Sequence, residues 1–187
     1  MILYLHGFAS SSQSQKVKNL KDFPEVAIIS FDLNVNPKIA IEQISSYILE
    51  HNGEDIMLMG SSLGGYYALH IAGLFDLPMV LINPSMRPYE TLSRFVGVAQ
   101  KNYSKDETIV YKKEYIETLK SLTTDKINQS KVLLMLQTGD ESLDYRIAVK
   151  LLPNAQQSIQ EGGNHSYEGF EKSFPMIEAF YKQFFKS

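Results

Sequence analysis

With 187 residues, 44% of them hydrophobic and 21% charged, the chain is expected to form one domain, 1–187, around a core of its own. A net charge of −3 and no cluster of lysine or arginine argue against a nucleic-acid surface. The absence of cysteine excludes disulfides, thiolate metal sites and a cysteine nucleophile, and no apolar run approaches the roughly 18 residues of a membrane span. Because the first residues read as a strand rather than a leader, the expected address is the cytoplasm.

Residues 2–5 form a short apolar run closed by a glycine, as expected of a strand buried on both faces. His6-Gly7-Phe8-Ala9 and a serine run follow, then Val17, Leu20 and Phe23 at helical spacing. Residues 26–31 suit a second strand. Pro37 opens a helix that places Ile41, Ile44, Ile48 and Leu49 on one face. A strand at 56–59 and a helix at 63–75 come next, and a fourth strand at 78–82 ends at Asn83-Pro84. A fifth strand, 131–137, ends at Thr138-Gly139-Asp140 and precedes a helix near 143–152. A weaker sixth, 156–160, ends at Glu161-Gly162-Gly163-Asn164-His165, and a helix near 174–185 closes the chain.

This alternation predicts an α/β fold: a mostly parallel six-stranded sheet with helices on both faces, a three-layer sandwich wound by right-handed crossovers. Sites in such sheets form at the carboxyl ends of strands, where His6, Ser62, Asn83, Asp140 and His165 all fall. The stretch between Asn83 and Lys131 is longer than one crossover helix requires. Short helices suit Tyr89 to Val96 and Tyr111 to Leu122, with a loose polar segment at 97–108 between them. Residues 85–130 form either a small cap over the site or an ordinary helix with a long surface loop.

The chemistry centres on Gly60-Ser61-Ser62-Leu63-Gly64, the G-x-S-x-G of a sharp strand-to-helix turn that lifts one serine above the sheet. A serine hydroxyl is a weak nucleophile at neutral pH and needs a base oriented by a third group. Of four histidines, His51 and His70 fall in helical segments and His6 suits a role in holding its loop, which leaves His165 as the base. Asp140 is the expected acid, with Asp144 as competitor; Asp144 also suits a helix cap or a pair with Arg146. Glu141 is expected to point elsewhere. The order Ser62, Asp140, His165 is that of an α/β-hydrolase. The amides of Leu63 and Phe8 are the candidate oxyanion donors. His6, Tyr66, Asn83 and Arg87 are candidate substrate contacts. No dinucleotide, P-loop or metal-ligand spacing is present, so neither cofactor nor metal is expected.

Tyr4-Leu5-His6-Gly7-Phe8, Gly60-Ser61-Ser62-Leu63-Gly64-Gly65-Tyr66-Tyr67, Asn83-Pro84, Arg87-Pro88, Gln137-Thr138-Gly139-Asp140-Glu141, Leu143-Asp144-Tyr145-Arg146 and Glu161-Gly162-Gly163-Asn164-His165 together resemble the YqiA/YcfP-type small bacterial esterases of the α/β-hydrolase superfamily. The resemblance spans nearly the whole chain and is least distinctive at 85–130. It implies a compact hydrolase lacking the superfamily's antiparallel opening, and cleavage of carboxyl esters or acyl thioesters, acyl-CoA-like substrates included, without a cofactor. It assigns Ser62 as nucleophile, His165 as base and Asp140 as acid. The expected partner is a small acyl ester or thioester; the sequence leaves the oligomeric state open. The rivals are a non-catalytic binding protein on the same scaffold, and a peptidase or lactonase with the same triad.

Overall fold

The structure, a computed structural model, describes residues 1–23, 26–102, 105–122 and 127–185. Strand β1 (Ile2–Leu5) leads through its following loop to α1 (Gln15–Asn19), a 3₁₀ turn (Leu20–Asp22) and β2 (Ile28–Ile29). Helix α2 (Pro37–Glu50) starts on Pro37, with the Asn36 side chain accepting the Lys38 amide as its cap. Then come β3 (Met57–Ser61), α3 (Leu63–Phe75) and β4 (Met79–Ile82). After α4 (Pro88–Thr91), a 3₁₀ turn (Ser93–Phe95), β5 (Ala99–Lys101) and β6 (Thr108–Val110), helix α5 (Lys113–Ser121) returns the chain to the sheet. Strand β7 (Val132–Gln137), α6 (Tyr145–Leu151), β8 (Gln156–Gln160) and α7 (Phe174–Tyr181) complete it.

The six-stranded sheet has the order β2-β1-β3-β4-β7-β8, with every pair parallel. Every residue of β1, β3, β4 and β7 is buried, which is why their sequences read as continuous apolar runs. Alternate side chains face opposite layers. Leu3, Leu5, Leu58, Leu81 and Leu134 join the core under α2, α3 and α5, with Ala148 of α6. Tyr4, Met59, Val80, Ile82 and Met135 join a second core under Leu20, Phe23 and the aromatic face of α7. From β1 the chain winds first to β2 on one side, then back past β1 to β3. The switch point therefore lies between β1 and β3, where a crevice is expected at the carboxyl ends.

Three expectations change. The second strand, expected at 26–31, is reduced to two residues, because β2 is an edge with only β1 to pair with. Leu49 is 63% exposed rather than on the buried face of α2, which Ala40, Ile44 and Ile48 supply. The segment expected to be loose, 97–108, contains β5 and the first residue of β6, paired antiparallel from Ala99–Val110 to Lys101–Thr108. The expected cap, 85–130, includes residues 103–104 and 123–126, which lie outside the described residues.

Candidate active site

Ser62 joins β3 to α3 with φ 54° and ψ −120°, a conformation costly for a residue with a Cβ. Such strain, of order 1–3 kcal/mol, persists only where the surroundings over-determine it. Here the Ser62 amide donates to Ile82 O at 3.2 Å, and Ser62 O accepts from the amides of Gly65 and Ser85 at 3.0 Å each. The small flanking residues are steric necessities: a Cβ on Gly60 would lie 2.3 Å from Gly64 O, and one on Gly64 would lie 2.0 Å from Leu5 O.

His165 Nε2 lies 3.1 Å from Ser62 Oγ, and its Nδ1 lies 2.8 Å from Asp140 Oδ2. A carboxylate can only accept, so Nδ1 carries the proton and Nε2 is left to accept from the serine hydroxyl. The Asp140 side chain is 2% exposed. Burial alone would raise its pKa. The bond from His165, with the amides of Leu143 and Ser142 at 2.9 and 2.8 Å, outweighs that and holds the carboxyl below its ordinary range. Asp144 is elsewhere. It caps α6 through the Arg146 amide at 3.0 Å and grips the Arg146 guanidinium with two 2.8 Å bonds.

On the opposite side of Ser62 runs the loop after β1. A Cβ on Gly7 would stand 3.2 Å from Ser62 Cβ, a tight contact that glycine's bare backbone avoids. Leu63 opens α3, so its amide lacks an intrahelical acceptor. His6 is buried beneath the loop: its Nε2 accepts the Leu33 amide at 2.9 Å, and Nδ1–H donates to Gly7 O at 2.9 Å. Both ring nitrogens serve the backbone, and burial lowers its pKa, so His6 is held neutral.

The other candidate contacts are placed differently. Tyr66 is buried, its hydroxyl donating toward the carbonyls of Leu119 and Leu122 at 2.9 and 3.1 Å, which ties α3 to the end of α5. Arg87 pairs with Glu90 at 3.7 Å on the surface, while Arg94 is the arginine that lines the cleft at Ser62. Asn83, 2% exposed, donates from Nδ2 to Asn164 O and His165 O at 3.0 and 3.3 Å, and its Oδ1 accepts the Gln137 amide at 3.0 Å.

Residues 1–182 match the model of a family described as an uncharacterised protein family, UPF0227. The chain belongs to that family. It is 30% identical over 190 residues to the UPF0227 protein YcfP of Salmonella arizonae, covering 96% of this chain and 98% of the relative. The YcfP protein of Salmonella paratyphi B is 28% identical over the same length. Among solved structures, Est1E from Butyrivibrio proteoclasticus with ferulic acid bound superposes with TM-score 0.74 at 16% identity, covering 97% of this chain and 86% of that one. The monoacylglycerol lipase of Paleococcus ferrophilus gives 0.68 at 16% identity, with 97% and 93% covered. Mouse alpha/beta hydrolase domain-containing protein 10 gives 0.69 at 17% identity, with 97% and 89% covered. With the parallel sheet, these establish the α/β-hydrolase fold for this UPF0227 chain. Among the described residues no helix is long and apolar enough to cross a membrane.

Some contributors to the site escaped the sequence reading of this UPF0227 chain. Gln137, 3% exposed at the end of β7, accepts the Asn164 and Glu168 amides on Oε1 at 3.1 and 2.8 Å and donates from Nε2 to Glu168 O at 2.8 Å. Gly163, φ +72°, makes room for it: a Cβ there would fall 2.1 Å from Gln137 Oε1. Glu141, instead of pointing away, accepts the His165 amide at 2.9 Å, which lowers its carboxyl pKa. Lys16 of α1 donates to Ser166 O, and burial lowers its ammonium to about 8. A polar residue ending an apolar run was the only sequence signal for Gln137.

Proposed function

We propose that the chain is a serine hydrolase that cleaves carboxyl esters or acyl thioesters through an acyl-enzyme on Ser62. The observation that carries this reading is the hydrogen-bonded series Ser62–His165–Asp140 at the carboxyl edge of the sheet, with Ser62 on a strained strand-to-helix turn. The likeness to an esterase solved with ferulic acid and to a monoacylglycerol lipase agrees with that substrate class.

In this mechanism Ser62 Oγ attacks the acyl carbonyl carbon while its proton passes to His165 Nε2. The buried Asp140 carboxylate holds the ring and stabilises the imidazolium. The carbonyl oxygen, now an anion, is met by the amides of Leu63 and Phe8, with the α3 N-terminus contributing its dipole. The tetrahedral intermediate collapses by breaking the bond to the alkoxide or thiolate, which takes the proton from His165. Water then attacks the acyl-enzyme and gives its proton to His165. The acid departs as that proton returns to Ser62. Every step is assigned to groups of the chain and to water.

The test is labelling with a fluorophosphonate, read by intact mass and peptide mapping on wild type, Ser62→Ala and His165→Ala. The expected result is one adduct on Ser62, lost in the first variant and much slowed in the second. A folded wild-type protein that takes no label and turns over no ester sinks the reading.

A further inference from the structure

Three cavities surround the loop after β1, and Phe8 alone among the described residues lines all of them. A front compartment of about 170 Å³ sits on Ser62 and His165, walled by Leu63, Pro88, Leu92, Phe95 and Leu143. A rear cavity of about 420 Å³ lies between the loop, α3 and the β5–β6 hairpin, with Leu33, Val35, Leu63, Ile109 and Tyr111 as its apolar wall and Asp32, Lys105 and Glu107 also in its lining, and touches neither Ser62 nor His165. The third, about 670 Å³, also reaches Ser62 and His165 but is lined by Ser14, Gln15, Lys16, Glu141 and Glu171.

The front and rear spaces share two residues, Phe8 and Leu63. The Phe8 ring stacks on Phe95 of the front compartment, centroids 5.5 Å apart, and meets Tyr111 of the rear cavity edge-on at 5.3 Å. The row Phe95–Phe8–Tyr111 is thus a wall between the two spaces. Aromatic pairs in these geometries hold their rings in place. At 170 Å³ the front compartment is smaller than the ~300–1,000 Å³ typical of ligand pockets, while the rear cavity falls within that range. The hydroxyl of Tyr111, buried at the rear, has no hydrogen-bond partner.

We propose that Phe8 sets the length of the acyl group: the wild-type chain takes short acyl groups in the front compartment, with a polar leaving group in the cleft beside Lys16, and the Phe8 ring bars longer chains from the rear cavity. This rests on the serine-hydrolase reading and adds the substrate class to it. The acyl group goes to the front because the candidate oxyanion residues Leu63 and Phe8 both border that compartment, whereas Leu63 does not border the other cleft. Phe8 acts here through its ring, and any substitution at this position keeps the backbone amide.

The experiment measures kcat/KM for the p-nitrophenyl esters of acetate, butyrate and octanoate with wild type, Phe8→Leu, Phe8→Ala and the double variant Phe8→Ala/Val35→Trp, each labelled with fluorophosphonate. Wild type is expected to fall off from butyrate to octanoate. Phe8→Ala raises the octanoate-to-butyrate ratio by about tenfold or more, the range expected when a hydrophobic subsite gains room for methylenes. Phe8→Leu shifts the ratio less, and keeps the series readable if Phe8→Ala fails to fold. Val35→Trp fills the rear cavity and returns the ratio toward wild type. A wild-type enzyme that already favours octanoate overturns the inference. So does an unchanged ratio in variants whose Ser62 still takes the label; in both cases the hydrolase reading stands. Failure of the hydrolase reading itself looks different, with no label and no turnover of any ester by folded wild type, and it overturns both.

Discussion

Asp140 and Asp144 are close in sequence, and their environments divide the work between them. Asp140 is buried against His165, whereas Asp144 closes on its own helix and Arg146. Asp140→Asn is expected to lower kcat by about 10⁴-fold, as the same change does in serine proteases by favouring the wrong histidine tautomer. Asp144→Ala removes an N-cap and should lower stability modestly with kcat unaltered. Urea unfolding alongside steady-state kinetics separates the two. His6 carries a pH signature of a different kind. Burial places its folded pKa below the ordinary 6.5, so between those values the unfolded chain binds more protons than the folded one. The stability tied to His6 is therefore full above about 6.5 and declines as pH falls below it toward the lowered value. His6→Gln should flatten that part of the curve of unfolding free energy against pH. An identical slope in wild type and variant would contradict a neutral, buried His6.

At the scale of elements, the elbow is the least tolerant junction. The β3 glycine is pressed against the first turn of α3 and that turn against β1, so Gly64→Ala drives a methyl into the Leu5 carbonyl. It should lower the melting temperature strongly or abolish soluble expression, whereas Gly53→Ala, with nothing within 4 Å of its added methyl, keeps the site intact despite a φ of +99°. The elbow was readable because its chemistry is local: two glycines, a serine and an apolar strand lie within a few residues. For the same reason β1, β3, β4 and β7 were legible, each being buried on both faces and apolar throughout. The β5–β6 hairpin was not, since its burial alternates but its residue types do not follow: Gln100 is polar yet half-buried, and Val110 is apolar yet exposed. Asn83 and Gln137 were visible as strand ends, but their partners on the His165 loop are distant in sequence, and no local pattern announces such bonds. The reach of Glu141 back to the His165 amide was hidden by the same distance.

Across the whole molecule, the candidate site is assembled from chain segments that meet only through the sheet. Ser62 and His165 are 103 positions apart, and the loop bearing the histidine hangs from β8, the outermost strand on its side. That strand pairs only with β7 and is made of Gln156, Gln157, Ser158, Ile159 and Gln160, with Ile159 45% exposed, so it contributes little to either core. Strands β3 and β4, by contrast, are buried over their full length. The consequence concerns order of failure. Opening of a peripheral strand needs far less free energy than global unfolding, because few apolar contacts are lost. Hydrogen exchange is therefore expected to be faster at the β8 amides bonded to β7 than at those of β3 and β4. On gradual heating, the proposed esterase activity should vanish while the far-ultraviolet circular dichroism of the sheet is still intact. The histidine hangs from an edge strand expected to open before the centre of the sheet, so inactivation by heat should begin as a reversible detachment, with denaturation following at higher temperature.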